Sequence, residues 1–178
     1  MLGEIRDYET AFIAINASLT GHLVFSTLHT NDAPSAVTRL TDIGVKPFLI
    51  ASATRCLMAQ RLVRKICQKC ESPATPENSD LLALGPDPDQ IKDANFKAGK
   101  GCDKCNGTGH KGRFGLFEVF VVDDESRKMI VNKVTTTDLR RRAREVGMRT
   151  LREDGARKAV AGMTTANEVL RVTVGDEN

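Results

Sequence analysis

Over residues 7–18 the apolar positions Ala11, Phe12, Ile13, Ala14, Ile15 and Ala17 fall on nearly all sides of a helix. Such a pattern predicts a short helix buried in a larger body, ended by Thr20-Gly21. Residues 22–28 carry near-continuous instead of alternating apolar side chains (Leu23, Val24, Phe25, Leu28), the pattern of a central strand in a parallel sheet. Asp32 with Pro34 opens a helix to Asp42, and Gly44 is its stop. Pro47 opens the next helix, predicted to continue through Leu49, Ile50, Leu57, Met58 and Leu62. Residues 61–66 read equally as helix end or strand. The pattern then thins. Residues 67–105 hold four of the six prolines (Pro73, Pro76, Pro86, Pro88) and few apolar residues, mainly Leu81, Leu82, Leu84 and Ile91. A core cannot be built from these, so a metal or a neighbouring domain must organise the segment. Residues 113–122 predict a strand through Phe114, Leu116, Phe117, Val119 and Phe120, after which Asp123 caps a helix to Asn132. Thr135 with Asp138, Thr150 with Glu153 and Thr165 with Glu168 have capping-box spacing. With stops at Gly147 and Gly162 they predict helices over 136–146, 151–161 and 166–172.

Composition narrows the class. A chain of 178 residues, 40% apolar and 28% charged, is a soluble globular protein of one domain or two small ones. No apolar run approaches the roughly 18 residues that span a bilayer. Residues 1–7 have neither the basic nor the apolar region of a secretory signal, so cytosolic exposure is expected. A net charge of +3, no Trp and one Tyr argue against nucleic acid as a partner. Residues 138–158 hold eight Lys or Arg against four acids, which reads as the solvated face of short helices.

The five cysteines add chemistry. Cys67-Gln68-Lys69-Cys70 and Cys102-Asp103-Lys104-Cys105 are two Cys-x-x-Cys turns, each able to supply two soft ligands to a tetrahedral zinc. Four sulfurs leave no place for a catalytic water, so the zinc would be structural. Lys65, Lys69, Lys104 and Lys111 are near enough in sequence to offset the negative charge of the site. Redox dithiols are the competing reading. Cys56, in the predicted apolar helix, reads as a core residue. Cys102 to Gly109 also match the Cys-x-x-Cys-x-Gly-x-Gly repeat of DnaJ-type zinc domains. One copy without its companions indicates convergence on a zinc-knuckle turn.

Glu4 follows the strand stub Leu2-Gly3, and His29 follows the strand of residues 22–28. Ligands of open α/β sheets bind beyond the carboxyl ends of strands. That placement lets both side chains face one crevice, a carboxylate for hydrated magnesium and an imidazole for a phosphate oxygen; a solvated cap for Glu4 and a satisfied loop residue for His29 are the competing readings.

Four runs then carry a resemblance: Gly3-Glu4-Ile5-Arg6-Asp7-Tyr8-Glu9-Thr10, residues 18–24, Ser26-Thr27-Leu28-His29-Thr30-Asn31-Asp32-Ala33-Pro34, and Ala59-Gln60-Arg61-Leu62-Val63-Arg64. Together they resemble the secretion ATPases of type II secretion and type IV pilus assembly. The two cysteine pairs, residues 111–115 and residues 147–155 resemble the same family's C-terminal region. The tetracysteine insert is similar to the secretion and pilus-extension members, not the retraction members. The resemblance implies the C-terminal portion of an α/β, RecA-like P-loop NTPase, with a tetracysteine zinc module and a helical C-terminal tail. It implies three parts: a partial ATPase core over 1–66, a zinc-binding insert over 67–112, and a strand plus helices over 113–178. The family works as a hexameric ring, cytoplasmic and peripheral at the inner membrane, on inner-membrane secretion or pilus platform proteins. Glu4 falls on its Walker B glutamate, which helps hold magnesium. His29 falls on the His-box histidine, at the terminal phosphate of ATP. Cys67, Cys70, Cys102 and Cys105 fall on its zinc ligands. Arg6, Asp7 and Thr10 belong to the Walker B run without an individual role.

The sequence departs from that pattern in lacking Gly-x-x-x-x-Gly-Lys-[Ser/Thr], whose amides and lysine cradle phosphates. The family's upstream acidic box is also absent. The chain is therefore expected to be the C-terminal part of a longer protein, with the strand of residues 22–28 deprived of its parallel neighbours and no ATP bound or hydrolysed alone. The alternative is a stand-alone zinc-stabilised module that joins or regulates an intact ring.

Overall fold

The computed structural model describes residues 1–85, 91 and 94–174. In chain order its elements are α1 (Tyr8–Leu19), α2 (Ser35–Asp42), α3 (Pro47–Ala53), β1 (Cys56–Ile66), β2 (Glu71–Pro73), α4 (Asn78–Leu84), β3 (Lys97–Gly99), a 3₁₀ turn (Asp103–Cys105), β4 (His110–Val121), α5 (Asp124–Val131), α6 (Thr136–Glu145), α7 (Leu151–Val160) and α8 (Ala166–Val172). The strands pair as β1 with β4 and β2 with β3. Contacts divide the chain into two units, Met1–Ala59 with Val119–Met148, and Gln60–Glu118 with Arg149–Asn178.

In the first unit, α3 lies against α1, α2 and α5, and α6 lies against α2 and α5. Local chemistry starts three of these helices. Asp7 accepts from the Thr10 amide at 2.8 Å, Asp123 accepts from the Ser126 amide at 2.9 Å, and Pro47 occupies the first turn of α3. Ile50, Phe120 and Ala11 are fully buried between these elements.

Two expectations are corrected in this unit. Helix α1 buries Ala11, Ala14 and Ile15, but leaves Phe12 and Ile13 exposed. Residues 22–28 are extended but exposed at Leu23 and Phe25, not a buried central strand. One backbone segment runs beside them, through Leu2 N to Phe25 O (3.0 Å) and Ile5 N to Thr27 O (2.9 Å). A central parallel strand is covered by strands on both edges and helices on both faces. Among the described residues these partners do not surround it.

The helix opened by Pro47 also ends earlier than its pattern predicts. It stops at Ala53, and Cys56–Ile66 is a strand. Its start is pinned by Val122 N donating to Arg55 O at 3.0 Å. Leu57 and Ala59 face the interior while Cys56, Met58 and Gln60 face out, the period of two that a strand imposes. Backbone partners from β4, distant in sequence, decide against the helical reading. Cys56 is accordingly exposed, not a core residue.

In the second unit, α7 lies on α8, and α4 lies on both. Gly155 permits the close approach of α7 to α8, since a Cβ there would sit 2.2 Å from Val169 Cγ1. The antiparallel pair β2–β3 aligns Glu71 with Gly99 and Pro73 with Lys97. Gly147 and Gly162 take left-handed φ values of 96° and 73° at their helix ends, as expected. Thr150 and Glu153 make a complete capping box. Thr165 accepts from the Glu168 amide, but the Glu168 carboxylate turns away to Arg64 and Arg171. Pro86 and Pro88 lie outside the described residues.

Candidate functional site

The two rungs between residues 2–5 and 25–27 fix the first site. They bracket Glu4 and set His29 two residues beyond the last paired carbonyl. Thr27 Oγ1 adds a bond to Gly3 O at 2.9 Å. The result brings His29 Nε2 to 2.5 Å from Glu4 Oε1, while Arg6 reaches Glu4 Oε2 at 2.6 Å. Arg6, two residues after Glu4, thus joins the pair as a second cationic partner of the carboxylate. Its hydrogen bond is the main influence lowering the Glu4 pKa, against partial desolvation, and the charges of Arg6 and His29 add to it. Glu4 is thus held as a carboxylate beside an imidazole that is 79% exposed. Such a pair can accept a hydrated divalent cation and donate to a phosphate oxygen. Asp7 and Thr10, from the same run, serve the start of α1.

The second site joins residues 35 apart. Cys67 and Cys70 form the turn between β1 and β2, and Cys102 and Cys105 form the turn before β4. The four sulfurs lie within 4.8 Å of one another. Cys67 to Cys102 and Cys70 to Cys105 are each 3.9 Å, and Cys102 to Cys105 is 3.7 Å. Tetrahedral metal–sulfur bonds of about 2.3 Å place sulfurs about 3.8 Å apart. A disulfide needs about 2.05 Å. The geometry therefore fits a tetrahedral ion held by Cys67, Cys70, Cys102 and Cys105.

Backbone amides prepare the sulfurs for that role. Cys102 N and Gly109 N both point at Cys105 Sγ, at 3.2 and 3.3 Å. Burial pushes the Cys105 thiol up, but these amides and the neighbouring Cys102 and Cys70 sulfurs outweigh it and bring it down to about 6. Burial, with the other three sulfurs, pushes Cys70 up to about 12. One thiol of the cluster is thus poised as the thiolate that a metal requires.

Gly109 holds the two halves together. Cys67 N donates to Gly109 O at 2.9 Å. A Cβ on Gly109 would lie 2.4 Å from Gly99 O, at a φ of +72°; one on Gly107 (φ +75°) would meet open space. Gly109→Ala is expected to lower the thermal midpoint by more than about 8 °C and to weaken metal retention. Gly107→Ala carries only the left-handed penalty of about 1–2 kcal/mol. Melting curves and metal content of the two variants side by side check this; equal behaviour would remove the steric argument.

The model of the family described as "Type II/IV secretion system protein" matches residues 1–171. The chain belongs to this family. The type IV pilus assembly ATPase PilB of Thermus thermophilus is 50% identical over 98% of the chain, and the type II secretion system protein HxcR of Pseudomonas aeruginosa is 50% identical over 97%. The chain spans 20% and 33% of their lengths. In three dimensions it overlays the pilus retraction motor PilT with bound ADP at a TM-score of 0.61 and 22% identity, covering 96% of this chain and 38% of that one. The Legionella pneumophila ATPase DotB gives 0.62 and 21%, covering 97% and 37%. The secretion-family chain thus has the α/β, RecA-like fold of the portions that it matches in these structures. No helix among its described residues is long and apolar enough to cross a membrane.

Proposed function

We propose that this secretion-family chain is the C-terminal part of a hexameric ATPase that couples ATP hydrolysis to type II secretion or type IV pilus assembly. The observation that carries the reading is the meeting of Glu4 and His29 at 2.5 Å, on the residues that match the Walker B and His-box motifs. In the complete site, magnesium supplies charge neutralisation at the phosphates. Glu4 holds its negative charge there with the help of Arg6, ready to accept from the metal's water shell. His29, exposed at the end of its extended segment, presents Nε2 to the terminal phosphate. Residues 1–66 serve as the partial ATPase core, residues 67–112 as the zinc-binding insert and residues 113–178 as the strand and helical tail. Zinc on Cys67, Cys70, Cys102 and Cys105 is structural, because four sulfurs complete its tetrahedron.

The partners in this proposal are other copies of the same protein in a ring, and inner-membrane secretion or pilus platform proteins, reached from the cytoplasmic side. Nucleic acid is not among them. The chain alone is expected not to hold ATP, because it has no phosphate-cradling Gly-Lys run. Equilibrium binding of a fluorescent ATP analogue with magnesium should show no saturable binding, and tight binding would overturn this.

Activity is tested in a chimera in which this chain replaces the segment that it matches in the PilB ATPase of Thermus thermophilus. The chimera should hydrolyse ATP. Glu4→Gln and His29→Ala should each lower kcat by about a hundredfold, the scale of losing one group that stabilises transition-state charge. Unchanged kcat in either variant would sink the assignment of that residue.

A further inference from the structure

His29 is largely exposed, so packing around the ring does little to hold it. Its position depends on the loop that carries it. Three residues on, Asp32 makes two bonds in different directions. Oδ1 accepts from Ser35 N at 2.7 Å, capping α2, and Oδ2 accepts from Arg140 on α6 at 2.6 Å. The two side chains are only 16% and 27% exposed, so water competes weakly for the pair. Burial pushes the Asp32 carboxyl up, but Ser35 and Arg140 outweigh it and hold it below its ordinary value.

A second tie runs parallel to the first. Thr38 on α2 and Thr136 on α6 are joined through their hydroxyls at 2.7 Å. Thr136 and Arg140 are four residues apart and share one face of α6. Helix α6 is itself anchored, since Arg142 reaches Asp123, the cap of α5, at 2.5 Å. The end of the His29 loop is therefore gripped from a helix more than a hundred residues away in sequence.

We infer that Arg140 is a positioning residue for His29: through Asp32 it fixes the loop of residues 29–32, so that the imidazole stays against Glu4. The role of the imidazole rests on the function proposed above. The hold on the loop does not.

Four variants of the full chain test the hold. Arg140→Gln removes the charge, Arg140→Lys keeps it, and Asp32→Asn breaks the ion pair while retaining a side chain that caps helices equally well. Arg141→Gln is the control, because Arg141 pairs with Asp138 on its own helix at the surface. Backbone 15N relaxation of Thr30 and Asn31, and the NOE between the His29 ring and the Glu4 side chain, are read in each. In Arg140→Gln and Asp32→Asn the order parameters of residues 30 and 31 should fall from about 0.85 to below about 0.6, and the NOE should vanish. Arg140→Lys should retain at least half of its intensity, and Arg141→Gln all of it. Persistence of order and NOE in Arg140→Gln would overturn the inference.

In the PilB chimera, Arg140→Gln should lower kcat about tenfold with KM for ATP changed less than twofold, and Arg141→Gln should leave both unchanged. A loosened loop with full kcat would overturn the positioning role. A chimera inactive with the unaltered chain would instead count against the proposed function, while the spectra still decide whether Arg140 orders the loop.

Discussion

Stripping the metal, or replacing Cys102 and Cys105 together by serine, is expected to unfold the segment between β1 and β4 and to lower the thermal midpoint by more than about 10 °C. Apart from α4, which lies on α7 and α8, the segment has little else to hold it. Among its described residues the buried apolar side chains are Cys67, Leu84 and Cys105. Its sheet is two strands of three residues each, far below what is stable alone. Binding of structural zinc contributes on the order of 10–16 kcal/mol in zinc-finger peptides, comparable with the whole stability of a domain. Acid should release the metal as thiolates take up protons. Metal content per chain and hydrogen exchange over residues 67–109 measure both effects. A protein that purifies without metal, or a double-serine variant that melts like the parent, would refute the site.

The second large effect is expected at Glu168. Its side chain is 3% exposed and receives Arg64 at 2.5 Å and Arg171 at 3.0 Å, with the Arg64 amide at 3.2 Å. Breaking a buried ion pair costs about 3–5 kcal/mol when the remaining charge is stranded. Arg64 and Arg171 are 47% and 58% exposed, so their guanidinium groups can turn to water. Glu168→Ala is therefore placed at the lower end, about 3 kcal/mol, or roughly 6–12 °C. The pH dependence has a definite sign. Arg64 foremost, and Arg171, hold the Glu168 carboxyl well below its ordinary value of 4.5. The folded state thus binds this proton less readily than the unfolded state. The stabilisation is complete above about pH 4.5 and is lost as pH falls below it. Asp123, lowered by Arg142 and Ser126, acts in the same direction. Glu168→Gln should melt well below the parent at pH 7 and approach it near pH 3. Parallel melting curves across that range would contradict the assignment.

The cysteine spacing already pointed to the four residues whose sulfurs cluster, and the positions of Glu4 and His29 after apolar runs already suggested that the two side chains meet. Each signal is local: a Cys-x-x-Cys turn or a strand end needs only a few residues. Arg6 lay in the same run as Glu4, but nothing in the run marked it as the partner of that carboxylate. Arg140 was not, because nothing near residue 140 reports that Asp32 is its partner. The Thr165–Glu168 spacing was misleading in part: the amide is capped as the motif requires, but the carboxylate has stronger partners in two guanidinium groups.

Local residue chemistry dictated most helix starts and stops. Pro47, Asp123, Thr150, Gly44, Gly147 and Gly162 act within three or four residues, where covalent geometry supplies the partner whatever the rest of the chain does. Tertiary structure alone made residues 56–62 a strand, since the same apolar positions suit a helix until β4 offers its backbone. It alone left residues 22–28 exposed, gathered four sulfurs to tetrahedral spacing, and joined Arg64 to Glu168 and Arg140 to Asp32. Burial and pairing of this kind depend on which surfaces meet, and groups a hundred residues apart carry no local record of that meeting.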